Sequence, residues 1–152
     1  VYIPMAGSNP EIESDVESRL YPGRGSGTVL VIDDEEIIRT VACGMLEEYG
    51  FQVITADNGG EGVEKFKLHH DSICAVILDI SMPVMSGEEA YKHMKAFDPS
   101  IPVLLTSGLR HDERVKEAMT LGIDGFIQKP YGAEELVSML LALLEKRNRN
   151  SS

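Results

Sequence analysis

The chain reads as an α/β protein built on a five-stranded parallel sheet. Three observations predict this. Short apolar runs recur five times between residues 28 and 147, as in strands covered on both faces. Stretches with apolar residues at helical spacing separate them. Polar residues end four of the runs abruptly. Strands that alternate with helices imply parallel pairing through right-handed crossovers.

The elements follow in order. Residues 1–27 are read as linker, because Ala6-Gly7-Ser8-Asn9-Pro10 and Tyr21-Pro22-Gly23-Arg24-Gly25-Ser26-Gly27 are rich in turn-forming residues. The second stretch is faintly like a glycine-rich phosphate loop, but such a loop follows a strand and this one precedes one. Val29–Ile32 is the first strand. A helix fits Glu35 to about Tyr49, with Ile38, Val41, Met45 and Tyr49 at helical spacing and Gly50 as its stop. Val53–Thr55 is the second strand, and Asn58 caps a helix through Val63 and Phe66. Ala75–Leu78 is the third strand. A helix starts at Ser86-Gly87-Glu88-Glu89, runs through Tyr91 and Met94, and ends before Pro99. Val103–Leu105 is the fourth strand. A helix from Asp112 through Val115 and Met119 stops at Gly122. Phe126-Ile127 marks the fifth strand, and Glu134–Arg147 the last helix, with Leu136, Leu140, Leu143 and Leu144 on one face. Residues 28–147 form the domain and residues 148–152 a polar tail.

At 152 residues, 43% hydrophobic and 26% charged, the chain has the size and composition of one soluble domain. No apolar stretch is long enough to span a bilayer, and no basic segment leads into an apolar run as in a signal peptide. Membrane contact by this segment is therefore not expected, and a cytoplasmic setting is. The net charge of −11 argues against a nucleic-acid partner, which needs a basic face. It suits a basic docking surface or a divalent cation, although solubility alone accounts for most of it equally well. Cys43 and Cys74 have no zinc or redox spacing and are expected to be small buried hydrophobes in a reducing compartment. His69-His70 is expected to be an exposed, solvated pair.

The chemistry lies at the strand ends. Asp33-Asp34, Asp79, Thr106 and Lys129-Pro130 each follow an apolar run. In open α/β sheets, ligands bind outside the carboxyl ends of the strands, so these groups can converge. Three carboxylates in one place repel each other, and a hard divalent cation such as Mg2+, which prefers oxygen ligands, relieves that conflict. Lys129 adds a fixed positive charge and Thr106 a hydroxyl donor. The set meets the needs of phosphoryl transfer, in which a carboxylate can itself be the nucleophile. Each residue also has a plainer reading. Asp33 and Asp34 can cap the next helix, Thr106 can fill a strand, Phe126 can be a core aromatic, and Lys129-Pro130 can be a turn.

In combination these motifs resemble the receiver domain of two-component response regulators. The resemblance rests on Val31-Ile32-Asp33-Asp34-Glu35, on Leu78-Asp79-Ile80-Ser81-Met82-Pro83 with Gly87, on Leu105-Thr106-Ser107-Gly108, and on Gln128-Lys129-Pro130. It covers roughly Thr28 to Arg147. It implies a doubly wound, flavodoxin-like (βα)5 fold with strand order 2-1-3-4-5, and a cis bond at Lys129-Pro130. It implies that Asp79 accepts a phosphoryl group from a phosphohistidine. Asp34, Asp79 and the Ser81 backbone carbonyl would ligate Mg2+ directly, and Asp33 through water. Lys129 would pair with the phosphoryl oxygens. Thr106 would move to the phosphate, and Phe126, at the switch-aromatic position, would turn inward with it. The implied partner is a histidine kinase dimerisation domain or a histidine phosphotransfer protein. The segment from Leu104-Leu105 to Phe126 and the following helices would form the docking surface, with a homodimer open through the same face.

Two departures from common versions concern decay of the phosphate. Ser81 and Gly108 offer neither acid nor amide to orient an attacking water, so a comparatively long-lived aspartyl phosphate is expected, with at most slow autophosphatase activity. A Ser81→Asn variant whose phosphate decayed at the unaltered rate would count against this. Phe126 lacks a phenolic hydroxyl, so any switch works through ring packing. Val1-Tyr2-Ile3-Pro4 resembles the closing strand of a sensor-kinase ATP-binding domain, and the chain starts without Met. The expected host is therefore a hybrid histidine kinase, whose kinase chemistry lies outside this segment. The alternatives are a stand-alone single-domain regulator and a phosphatase of the haloacid-dehalogenase type. The latter wants a second Asp two residues after the nucleophile, where this chain has Ser81.

Overall fold

The computed structural model describes residues 27–80, 87–108 and 123–151, without the side chains of residue 88 and residues 148–151. Strands β1 (Thr28–Ile32), β2 (Gln52–Ala56), β3 (Ile73–Asp79), β4 (Val103–Ser107) and β5 (Gly125–Gln128) form one sheet in the order β2-β1-β3-β4-β5. Every neighbouring pair is parallel. Helices α1 (Glu36–Glu48), α2 (Gly59–Leu68), α3 (Gly87–Phe97) and α4 (Ala133–Ser151) flank it. The helix expected over 112–122 lies outside the described residues, as do Val1–Pro4, most of the linker, Ser81 and Ser86.

Alternation along each strand sends its side chains to two cores. Leu30, Ile32, Val76, Leu78, Val103 and Leu105 face one layer, with Val63 and Phe66 of α2 and Ala90, Tyr91 and Met94 of α3. Val29, Val31, Ala75, Ile77, Leu104 and Ile127 face the other, with Ala42 and Leu46 of α1 and Leu136, Leu140 and Leu144 of α4. The unbroken apolar runs exist because β1, β3 and β4 are covered on both sides. Phe66, Leu30, Leu78, Met94 and Leu104 are wholly buried, and burying a side chain of this size contributes roughly 2 kcal/mol.

The helix ends follow local chemistry. Asn58 caps α2 by accepting the Glu61 N–H at 2.8 Å, and the Glu61 carboxylate accepts the Asp57 N–H at 3.1 Å. At the end of α1, Gly50 has φ 95°. Its N–H donates to Glu47 O and that of Phe51 to Leu46 O, the double bond of a left-handed glycine stop.

Several expectations need correction. The buried face of α1 is Ala42 and Leu46; Val41 is exposed, and Ile38, Met45 and Tyr49 only flank the core. Spacing marked an apolar stripe there but not its centre, which packing against α4 and the sheet decides. The last helix runs past Arg147 to Ser151, since polar residues and a basic end suit a helix C-terminus. Leu104 and Leu105 are buried in the two cores, so their side chains cannot line a docking surface. Cys43 and Cys74 are free thiols and only half-buried. His70 is not solvated: its Nε2 lies 3.0 Å from Asp98 Oδ2, and its ring stands edge-on between Phe66 and Phe97.

Candidate functional site

The carboxyl-terminal edge of the sheet gathers the predicted groups. Asp33 follows β1 and its N–H donates to Ala56 O at the end of β2. Asp79 is the last residue of β3 and stands opposite Thr106 of β4 in register. The Ile80 N–H donates to Thr106 O, and the Lys129 N–H to Ser107 O, so each strand end is pinned to its neighbour. Lys129-Pro130 is a cis bond, as the resemblance implied. Gly87, the first residue of α3, presses on this edge. A Cβ there would lie 2.6 Å from Asp79 O, so only glycine lets the helix start this close.

Asp33, Asp79 and Thr106 are buried, and Asp34 is exposed. One oxygen from each of Asp33, Asp34 and Asp79 lies within 4.8 Å of the others. Lys129 Nζ sits among them, 2.7 Å from Asp33 Oδ2 and 3.3 Å from Asp79 Oδ2. Burial alone would lower the Lys129 pKa. The hydrogen bond that Lys129 donates to Asp33 and the charges of Asp79 and Asp33 outweigh it and hold the ammonium well above the usual lysine range. Burial, reinforced by the charge of Asp33, pushes the Tyr131 phenol up to about 12.

The arrangement has more negative charge than it balances. Among the described residues, two buried carboxylates and a third beside them face a single ammonium. Isolated charges in a dry interior are costly, and like charges this close raise one another's free energy. A small hard cation with oxygen ligands resolves both problems, and the donor set fits Mg2+, which takes carboxylates and keeps several waters. The Ser81 carbonyl, expected among the ligands, lies outside the described residues. Asp33 does serve the following helix, because its Oδ1 accepts the Glu35 N–H at 2.9 Å. That use occupies one oxygen and leaves Oδ2 for Lys129. Phe126 is half-buried against the first core, in register with Leu105 and one strand position before the level of Thr106.

The sequence places Glu35 at the start of a helix and in the motif around the acidic pair, without assigning it a role at the site. Its carboxylate lies 3.3 Å from Lys129 Nζ. The signal available in the sequence was its position directly after the acidic pair. Arg39, one turn into α1, donates to Asp33 O at 2.7 Å and steadies the same loop.

Comparison with known proteins agrees with this geometry. Residues 29–141 match the family model described as the response regulator receiver domain. The chain is 31% identical over 137 residues to chemotaxis protein CheY of Treponema pallidum, covering 90% of this chain and 95% of that protein. It is 32% identical over 140 residues to the autoinducer 1 sensor kinase/phosphatase LuxN of Vibrio campbellii, covering 92% of this chain but 16% of LuxN. A receiver domain structure from Clostridium thermocellum superposes with TM-score 0.75 at 30% identity, covering 80% of this chain and 97% of that one. A chain of the CheX-CheY-BeF3-Mg2+ complex from Borrelia burgdorferi superposes with TM-score 0.71 at 30% identity, covering 77% of this chain and 88% of that one. The chain belongs to the response regulator receiver domain family.

Proposed function

We propose that Asp79 is the phosphoacceptor of this receiver domain and takes its phosphoryl group from a phosphohistidine on a partner protein. The observation that carries this reading is the position of Asp79: buried at a strand end, 3.3 Å from the Lys129 ammonium and within the carboxylate cluster. In the transfer, an Asp79 oxygen attacks phosphorus and the P–N bond breaks. The imidazole nitrogen leaves with the electron pair, and its ring is protonated from solvent. Asp33, Asp34 and Asp79, with the Ser81 carbonyl, would hold Mg2+, which supplies charge neutralisation for the carboxylates and the phosphoryl oxygens. Lys129 orients and neutralises those oxygens. The Thr106 hydroxyl, on the strand beside Asp79, is placed to donate to them, and Phe126 is placed to respond by ring packing.

As a receiver domain the chain has a phosphoacceptor signalling role. The family match does not favour the phosphatase alternative. Its similarity to a segment of LuxN supports a host that is a hybrid histidine kinase, with a histidine phosphotransfer protein or kinase dimerisation domain as partner. Among the described residues no helix is long and apolar enough to cross a membrane. A cytoplasmic setting is our proposal from the receiver role, since the histidine kinase partner presents its phosphohistidine there.

The test is intact mass after incubation with acetyl phosphate and Mg2+. One phosphoryl adduct is expected on the wild type, none on Asp79→Asn, and none on either with chelator. An adduct that persists on Asp79→Asn would refute the assignment.

A further inference from the structure

The Glu35 side chain has a partner that its place on the helix does not explain. Glu35 is the N-cap of α1, with extended backbone. Side chains at this position ordinarily accept a hydrogen bond from the first turn, and this one does not. Its Oε1 instead lies 3.3 Å from Lys129 Nζ, 94 residues along the chain. Its backbone is fixed to the site through Asp33 Oδ1, while the side chain stays 61% exposed at the rim. The ammonium therefore holds three carboxylates of two kinds. Asp33 and Asp79 are buried on strand ends, and Glu35 is in water.

A lysine ammonium has three N–H donors. A phosphoryl group on Asp79 replaces its carboxylate contact with several anionic oxygens, and for Lys129 to bind two of them one of its other contacts, Asp33 or Glu35, must give way. Asp33 is buried, and among the described residues its carboxylate is paired with Lys129, while Arg39 holds only its backbone oxygen. Glu35 can return its carboxylate to solvent at little cost. The same charge at the mouth of the site repels a free dianionic donor before transfer.

We infer that Glu35 is a detachable restraint on Lys129 that disfavours small anionic phosphodonors and releases the ammonium when Asp79 is phosphorylated. It is a positioning and specificity residue, and the inference rests on the reading of Asp79 as acceptor.

The test compares wild type with Glu35→Gln and Glu36→Gln. Glu36 is an exposed neighbour on the first turn of α1, so its variant loses the same charge without touching the restraint. The donor is acetyl phosphate at saturating Mg2+. An Asp79 oxygen attacks phosphorus, the bond to the acetyl oxygen breaks, and acetate leaves with the electron pair, with no proton transferred. The rate for Glu35→Gln should rise about threefold or more at low salt, with a smaller gain at high salt. Glu36→Gln should stay close to wild type. Titration calorimetry on unphosphorylated protein gives a second readout: Mg2+ binding should weaken about threefold in Glu35→Gln, because the freed ammonium competes more strongly for Asp33 and Asp79. Equal rates for Glu35→Gln and wild type, or an equal rise in both glutamine variants, would overturn the inference and leave the receiver reading intact. Absence of any adduct on the wild type would instead overturn the reading beneath it.

Discussion

The two edges of the sheet both carry ionic clusters, and they are balanced differently. At the amino-terminal edge Asp98 and Asp124 each have a basic partner. Asp98 accepts from Ser100 at 2.8 Å, faces His70 at 3.0 Å and Arg147 at 3.3 Å, and Arg147 also donates to Cys74 O. Asp124 pairs with Lys95 at 2.7 Å and accepts the Val103 N–H, while Lys95 donates to Ile101 O. These contacts tie α2, α3 and α4 to the starts of β3, β4 and β5. At the carboxyl-terminal edge, Asp33, Asp79 and Glu35 share Lys129, and Asp34 lies beside the two aspartates. One edge is satisfied by the chain itself. The other is left in need of a cation from outside, and that unmet charge marks the functional end.

Substitutions break the comparison in opposite directions. The largest effect is expected from Lys129→Met, which strands Asp33 and Asp79 without a countercharge. Removing one partner of a buried ion pair costs about 3 kcal/mol, to be read by urea unfolding in chelator, with part of the loss recovered on adding Mg2+. Next is Gly87→Ala, whose Cβ meets backbone at Asp79 and Ile80. It should cost about 2 kcal/mol and slow phosphorylation, because the helix must retreat from the acceptor.

Asp98→Asn should cost about 1–2 kcal/mol at pH 7 while leaving the adduct intact. Burial would raise the Asp98 pKa, but its bonds to Ser100 and His70 and the charge of Arg147 hold it below the usual carboxylate value. A carboxylate whose folded pKa is depressed adds stability above its unfolded pKa of about 4 and loses it as pH falls through the folded value. The gap between wild type and Asp98→Asn should therefore close in acid. The smallest effect is the reverse one. Asp79→Asn removes a buried like charge next to Asp33 and should gain about 1 kcal/mol without Mg2+, while abolishing phosphorylation. A loss of stability there would show that the functional edge is balanced after all.

The same contrast separates what was legible in the sequence from what was not. Strands and strand-end groups were legible because burial on both faces writes continuous apolar runs, and the charge that ends each run stands out. Asp33, Asp79, Thr106 and Lys129 meet where parallel topology puts them. The amino-terminal edge was not legible, since its pairs join residues 28 and 49 positions apart that share no pattern. His70 read as solvated because Phe97 and Asp98, which cover it together with Phe66, come from α3 and the turn after it. Glu35 was hidden for the same reason, as its partner lies at the far end of the domain. The stripe on α1 was located but not centred, because three apolar residues on its flank are spaced as regularly as the two that pack.

The most direct test of the central claim is to place the phosphoryl group on one residue. Protein phosphorylated with acetyl phosphate and Mg2+ is reduced with borohydride, which converts an acyl phosphate on aspartate to homoserine, and is then sequenced by tandem mass spectrometry. Homoserine at position 79 alone is predicted. Homoserine at position 33 or 34 instead, or an adduct that resists reduction, would contradict the account.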